Sequence, residues 1–300
     1  MADAMSLEAT LTEVTLVWDA KAELGEGPIW STRDQAVYWV DIKGRMLHRY
    51  RLGGGKQSWQ MPENIAWICE RGGEGGFIAG FDRTISELRL DPLVITARVT
   101  PEPDIDGNRL NDAKADHLGR IWFGTMQDAE REPVGSLYRL DSDFSFSRQD
   151  AGYFCTNGPT FSPDGKAAYH NETVGDASIY RFDLLVDGSL ADKRIFAKFS
   201  PGEGYPDGMT TDAEGFLWVA HWGGWGISRF RPDGTRERFI RLPVSQVTSC
   251  TFAGDRLDRL FVTSARIGLS EQQLRAEPDA GGLFEVSPGV CGMPTNKFSG

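Results

Sequence analysis

Four polar residues occupy matching contexts: Glu26 in LGEGPIW, Asn111 in NRLNDAKAD, Asn157 in TNGPTFSPDG and Asp207 in PDGMTTDAEG. Each lies 11–12 positions ahead of an aromatic residue in a short apolar run: Tyr38, Trp122, Tyr169 or Trp218. Two carboxylates and two amides, with no Cys or His among them, form the oxygen donor set that suits a hard cation. Clustered in a core without one, the acids would be costly to bury. A glycine follows three of the four (Gly27, Gly158, Gly208), so the backbone can bend tightly there. Taken singly, Asn-Gly and Asp-Gly are ordinary turn dipeptides, and Glu26 reads equally well as a loop acid. The shared register is what argues for one site.

That register belongs to an internal repeat. A Gly- or Asp-rich turn followed by a strand with an aromatic occurs six times, centred on Tyr38, Phe77, Trp122, Tyr169, Trp218 and Phe261, at steps of 39, 45, 47, 49 and 43 residues. A second strand follows each (MLHRY, ISELRL, SLYRL, SIYRF, GISRF, GLFEV), and most continue to a more polar one. Four short strands every ~40–50 residues predict an all-β, six-bladed β-propeller with four-stranded antiparallel blades. A sandwich would not explain why one cassette recurs in register. The N-terminal strand Val14–Trp18 falls outside the first cassette and is expected to close the ring as the outermost strand of the last blade. One domain over residues 1–300 is expected, with 1–12 and 288–300 as peripheral tails and one helical turn between Leu269 and Ala280.

In a propeller the equivalent positions (Glu26, Ile65, Asn111, Asn157, Asp207, Ser249) converge on the axis at one face. Residues just after the aromatic strands should rim the same face. They are Met126-Gln127-Asp128, His170-Asn171-Glu172, His221-Trp222-Gly223-Gly224 and Thr263-Ser264-Ala265-Arg266. Arg109, two residues before Asn111, should also face this cup. A polar cup with aromatic and methionine walls suits a small polyhydroxylated ligand. His48 and His117 read as surface residues.

Composition narrows the function classes. The chain has 32 Lys+Arg against 43 Asp+Glu, a net charge of −11, which disfavours nucleic acid and anionic membrane surfaces. No apolar run approaches the ~20 residues of a spanning helix. The start lacks the charged and apolar regions of a secretory signal. The four cysteines (Cys69, Cys155, Cys250, Cys291) are scattered and read as reduced thiols, so a cytoplasmic location is expected. The first three sit in apolar stretches and are expected in the core. G-x-S-x-G and H-E-x-x-H are both absent from the sequence.

The stretches LGEGPIW, RLNDAKADHLGRIWFGTM, TNGPTFSPDGK and YPDGMTTDAEGFLWVAHWGG closely resemble the gluconolactonase/regucalcin (senescence marker protein) family, most of all its bacterial sugar-lactonase branch of xylono- and arabinolactonases. The resemblance runs from about Leu16 to Val286. It implies a six-bladed propeller with one divalent ion at the axis that hydrolyses aldonolactones in carbohydrate metabolism. The family's metal ligands fall on Glu26, Asn157 and Asp207, and its substrate-binding Arg and Asn on Arg109 and Asn111. Its third-blade acid has no exact counterpart; Asp128, offset by about one residue, is nearest. Met126 and His221 complete the expected substrate wall, and Asp207 is expected to double as catalytic base. Oxygen donors favour Ca2+, while an open three-ligand site also accepts Mg2+, Mn2+, Zn2+ or Fe2+. The expected partner is a small sugar lactone, with the chain a monomer or weak homo-oligomer. Two other readings remain open: a phosphotriesterase or general esterase on the same ion, and a non-catalytic calcium-binding propeller.

Overall fold

The recurring aromatic cassette forms the second strand of each of six four-stranded antiparallel sheets, and the strand that follows it forms the third. The computed structural model describes residues 13–73 and 75–300, so the expected tail at 1–12 lies outside the described residues. Blades 1 to 5 comprise residues 25–60, 65–99, 108–153, 156–198 and 205–241, each an up-and-down meander. Blade 6 takes three strands from residues 247–286 and its outermost from Val14–Trp18, paired antiparallel through Val14–Val286, Thr15–Glu285 and Leu16–Phe284. The N-terminal strand therefore closes the ring.

All six repeat aromatics are buried, and the apolar clusters lie between adjacent blades. The turn of the cassette explains its sequence. In blade 3, Asp116 accepts the backbone N–H groups of Leu118 and Arg120 through one oxygen and the Trp122 indole N–H, at 2.9 Å, through the other. Blade 5 repeats this with Asp212, Glu214, Phe216 and Trp218. One carboxylate thus shapes the turn and anchors the tryptophan behind it.

Every innermost strand breaks register near its start. The breaks lie between Glu26 and Ile29, Ile65 and Trp67, Leu110 and Ala113, Asn157 and Thr160, Pro206 and Met209, and Val247 and Ser249. Such bulges re-aim side chains out of the pleat. Gly158 shows why glycine is used: its φ is +72°, and a Cβ there would come within 2.6 Å of Met209.

Residues 288–300 are not a peripheral tail. They cross the propeller at the end opposite the bulges. Cys291 and Gly292 bond to Ala213 of blade 5 and Leu257 of blade 6, while Phe298 and Ser299 bond to Glu70 of blade 2 and Gly119 of blade 3. Phe298 is fully buried against Phe144 and the blade 2–3 core. This segment belongs to no repeat, so periodicity assigned it no place. The helical turn appears as Glu271–Ala276, capped by Ser270. Among the described residues no helix is long and apolar enough to cross a membrane.

Phe298→Ala should cost about 3–5 kcal/mol of stability, as buried Phe→Ala changes do. Urea unfolding measures it, and a loss below about 1 kcal/mol would contradict a cross-ring strap.

Candidate active site at the inner ends of the blades

The bulges open one cavity of about 620 Å³ at the axis, lined by Glu26, Arg109, Asn111, Asn157 and Asp207, with Asp128 and Glu130 on the blade 3 side. Its other wall is more apolar: Tyr205 and Trp222, cross-strand partners in blade 5, stand with Val174 and Ile267. Blade 2 contributes Ile65 and Ala66 at the matching register and therefore no oxygen donor. Blade 6 lines the cavity through Gln246, and behind it the Thr248 hydroxyl donates to the Gly25 carbonyl at 2.6 Å, tying blade 6 to blade 1 beside Glu26.

Arg109 is 8 % exposed and held on both sides. Its Nε donates to Asp128 at 2.5 Å and its Nη1 to Asn111 Oδ1 at 2.6 Å. Lys43 reaches the same Asp128 at 2.7 Å. Asn111 donates to Asn157 Oδ1 at 3.0 Å. Glu26 and Asp207 each accept the N–H of the next residue, Gly27 and Gly208, at 3.0 Å. Among the described residues neither has a salt-bridge partner within 4 Å.

Residues 24–266 match the family described as SMP-30/Gluconolactonase/LRE-like region. The chain belongs to that family. It is 37% identical over 293 residues to the L-arabinolactonase of Azospirillum brasilense, covering 96% of each chain. It is 32% identical over 279 residues to the 6-deoxy-6-sulfogluconolactonase of Pseudomonas putida, covering 92% of this chain and 95% of that one. The crystal structure of regucalcin from Agrobacterium tumefaciens, a calcium-binding protein, superposes with a TM-score of 0.91 at 27% identity, covering 96% and 97% of the two chains.

Several residues of this SMP-30/gluconolactonase-family chain lie elsewhere than their register suggested. His221 does not line the cavity: its Nδ1 bonds the Glu203 carbonyl, its Nε2 the Ser228 hydroxyl, and its ring packs on Phe199. Side chains alternate across a strand, so Trp222 faces the cavity and His221 the interblade core. His170 is buried against Tyr153 in the same way. Met126 lies one layer behind the wall, 3.6 Å from the sulfur of Cys155, which lines the cavity in its place. His48 is buried against Trp39 and bonds Ser58, whereas His117 is exposed.

The spacing missed Asp112, Glu130 and Thr173. Asp112 follows Asn111 in the blade 3 bulge, where two successive residues escape the pleat; it accepts the Gly158 N–H at 3.0 Å. The pair Asn-Asp, standing where blades 1 and 4 have Gly-Pro one step later, was the available signal. Thr173 and Glu130 sit in loops outside the repeated cassette.

Burial, and next the nearby charge of Asp112, push the Glu26 carboxyl up to about 8. Burial followed by Glu26 and Asp112 raises Asp207 well above the usual carboxylate range. Asp112 rises to about 6 through burial, which Lys114 and two backbone N–H groups oppose. For Asp128, burial acts upwards, but the hydrogen bond from Lys43 and the charge of Arg109 outweigh it and lower its pKa. The donor set fits a divalent cation. It comprises two carboxylates without a direct ion-pair partner and an amide oxygen, all at one cavity. Among the described residues no three His, Cys, Asp or Glu are grouped for a metal, so a cation here would need an amide oxygen such as that of Asn157 beside the two carboxylates.

The charge frustration has a pH signature. A carboxyl whose pKa is higher folded than unfolded binds more protons in the native state, so stability is lost as it ionises. Chelator-treated protein should therefore lose stability as pH rises from about 5 to about 8, and Glu26→Gln should flatten that fall. Melting temperatures across this range test it; a rise over the same window would contradict it.

Proposed function

We propose that this protein hydrolyses a sugar lactone to its aldonic acid, assisted by one divalent cation held by Glu26, Asn157 and Asp207. The observation that carries the reading is the meeting of an uncompensated carboxylate pair with the Arg109–Asn111 pair in one cavity. The lactonase relatives support the substrate class, and the calcium-binding relative supports Ca2+ as the first ion to try.

When bound, such an ion supplies Lewis acidity towards a carbonyl oxygen and the counter-charge the carboxylates lack. The chain's own residues then have distinct tasks. One oxygen of Asp207 is engaged by Gly208 N–H, and the carboxylate can take a proton from the attacking water. Water adds to the lactone carbonyl, the ring C–O bond breaks, and the departing ring oxygen takes the proton that Asp207 accepted, giving the hydroxyl of the open acid and restoring the carboxylate. Arg109 and Asn111 hold substrate oxygens, with Arg109 fixed by Asp128. Asp128 and Glu130 flank it as acceptors for sugar hydroxyls. Tyr205 and Trp222 offer rings against the C–H face of the sugar. A strained ring ester needs little base strength, which suits a carboxylate.

Lactone opening followed with a pH indicator across pentono- and hexonolactones, with and without chelator, tests this. Asp207→Ala should lower kcat by about 10²–10⁴. Arg109→Met should mainly raise KM, by about 10-fold or more, because a charged hydrogen bond to substrate is lost. Near-normal turnover in Asp207→Ala would remove the base assignment. Faster hydrolysis of an aryl phosphate triester than of any lactone would favour an esterase. Ion binding without any turnover would favour a calcium-binding propeller.

A further inference from the structure

The polar groups behind the cavity form a directed chain. Arg109 Nη1 donates to Asn111 Oδ1 at 2.6 Å, and Asn111 Nδ2 to Asn157 Oδ1 at 3.0 Å. Asn157 Nδ2 donates to the Thr173 hydroxyl at 2.9 Å, and that hydroxyl donates to the Pro206 carbonyl at 2.8 Å. The chain spans blades 3, 4 and 5 and ends beside Asp207.

Its two ends fix its direction. A guanidinium can only donate, so the Asn111 atom facing Arg109 must be the oxygen. Asn111 then turns its NH2 outward, where the Thr156 carbonyl, 2.7 Å away, also accepts from it. The Asn157 atom facing that NH2 must in turn be an oxygen. At the other end, a carbonyl can only accept, so the Thr173 hydroxyl spends its one proton on Pro206 and offers a lone pair to the Asn157 NH2. Neither amide can flip without setting two donors, or two acceptors, face to face. Asn171 adds a parallel tie, its amide donating to the Asp207 carbonyl at 2.5 Å.

We infer that Thr173 is a positioning residue for the cation site: the Asn111 NH2 sets which Asn157 atom is oxygen, and the Thr173 hydroxyl holds the other end of that amide in place while tying it to the Pro206 carbonyl next to Asp207. The inference rests on the reading of Asn157 as a ligand under Proposed function. Thr173 is buried, sits on the cavity wall and contacts both Asn157 and the residue before Asp207, so one side chain sets two of the three proposed ligands. Valine matches its shape but has neither lone pair nor proton, which leaves the Asn157 NH2 and the Pro206 carbonyl without this partner. Serine keeps the hydroxyl.

Wild type, Thr173→Val, Thr173→Ala and Thr173→Ser, stripped with chelator, would be titrated with CaCl2 and separately with MnCl2 by calorimetry, with circular dichroism as the fold check. Thr173→Val should bind about 10–100-fold more weakly, as loss of an outer-shell partner does, while Thr173→Ser stays within about threefold of wild type. If the valine protein does not fold, the alanine protein carries the same expectation. Valine or alanine affinity within about twofold of wild type overturns the inference, as does a serine protein weakened as much as the valine one. Wild type that binds neither ion overturns both this inference and the cation-assisted reading. Wild-type binding with unchanged affinity in the variants overturns this one alone.

Discussion

Ring closure forces like charges together, and everything at the axis follows from that. Glu26 and Asp207 come from strands about 180 positions apart in the chain, and no local preference would bring them into one cavity. The six sheets can satisfy their interblade apolar faces only as a closed circle, so their inner ends have to meet. The Val14–Trp18 strand fixes that circle through backbone pairing with blade 6, and the segment 288–300 braces it across the far end. The apolar contacts between blades are what offset the repulsion among buried carboxylates. A site of this kind trades stability for function, as natural active sites commonly do.

In and behind the cavity wall the charges are sorted rather than neutralised. On the blade 3 side, Asp128 is matched by both Arg109 and Lys43 and stays ionised. Asp112 is turned into backbone N–H groups of its own bulge and of blade 4, with Lys114 nearby. Glu26 and Asp207 have no such match. On the proposed reading, the unmatched pair is where a cation would gain most and the matched cluster is where a neutral, hydroxyl-rich molecule would exchange hydrogen bonds. The Tyr205–Trp222 wall completes a cavity polar on one side and aromatic on the other.

Much of this was readable from residue spacing, for a physical reason. A repeat whose turn needs an aspartate and whose second strand needs an aromatic writes its own ruler along the chain, as Asp116–Trp122 and Asp212–Trp218 show. Counting back along that ruler reaches Glu26, Asn111, Asn157 and Asp207, which line the one cavity. The ruler measures distance along a strand but not which face a side chain takes. His221 and Met126 are at the right height and point elsewhere. Bulges add a second difficulty, because one or two residues leave the alternation; Asp112 was overlooked for that reason. The C-terminal strap was invisible because Phe298 has no equivalent in any other repeat. Its place comes from a long-range contact with blades 2 and 3.

The central claim is that Glu26, Asn157 and Asp207 share one ion. Long-wavelength anomalous diffraction from a crystal grown with Ca2+ addresses it directly. One peak should lie about 2.3–2.6 Å from a side-chain oxygen of each of the three residues. A map with no peak there, or with these oxygens too far apart to share any single centre, would contradict it.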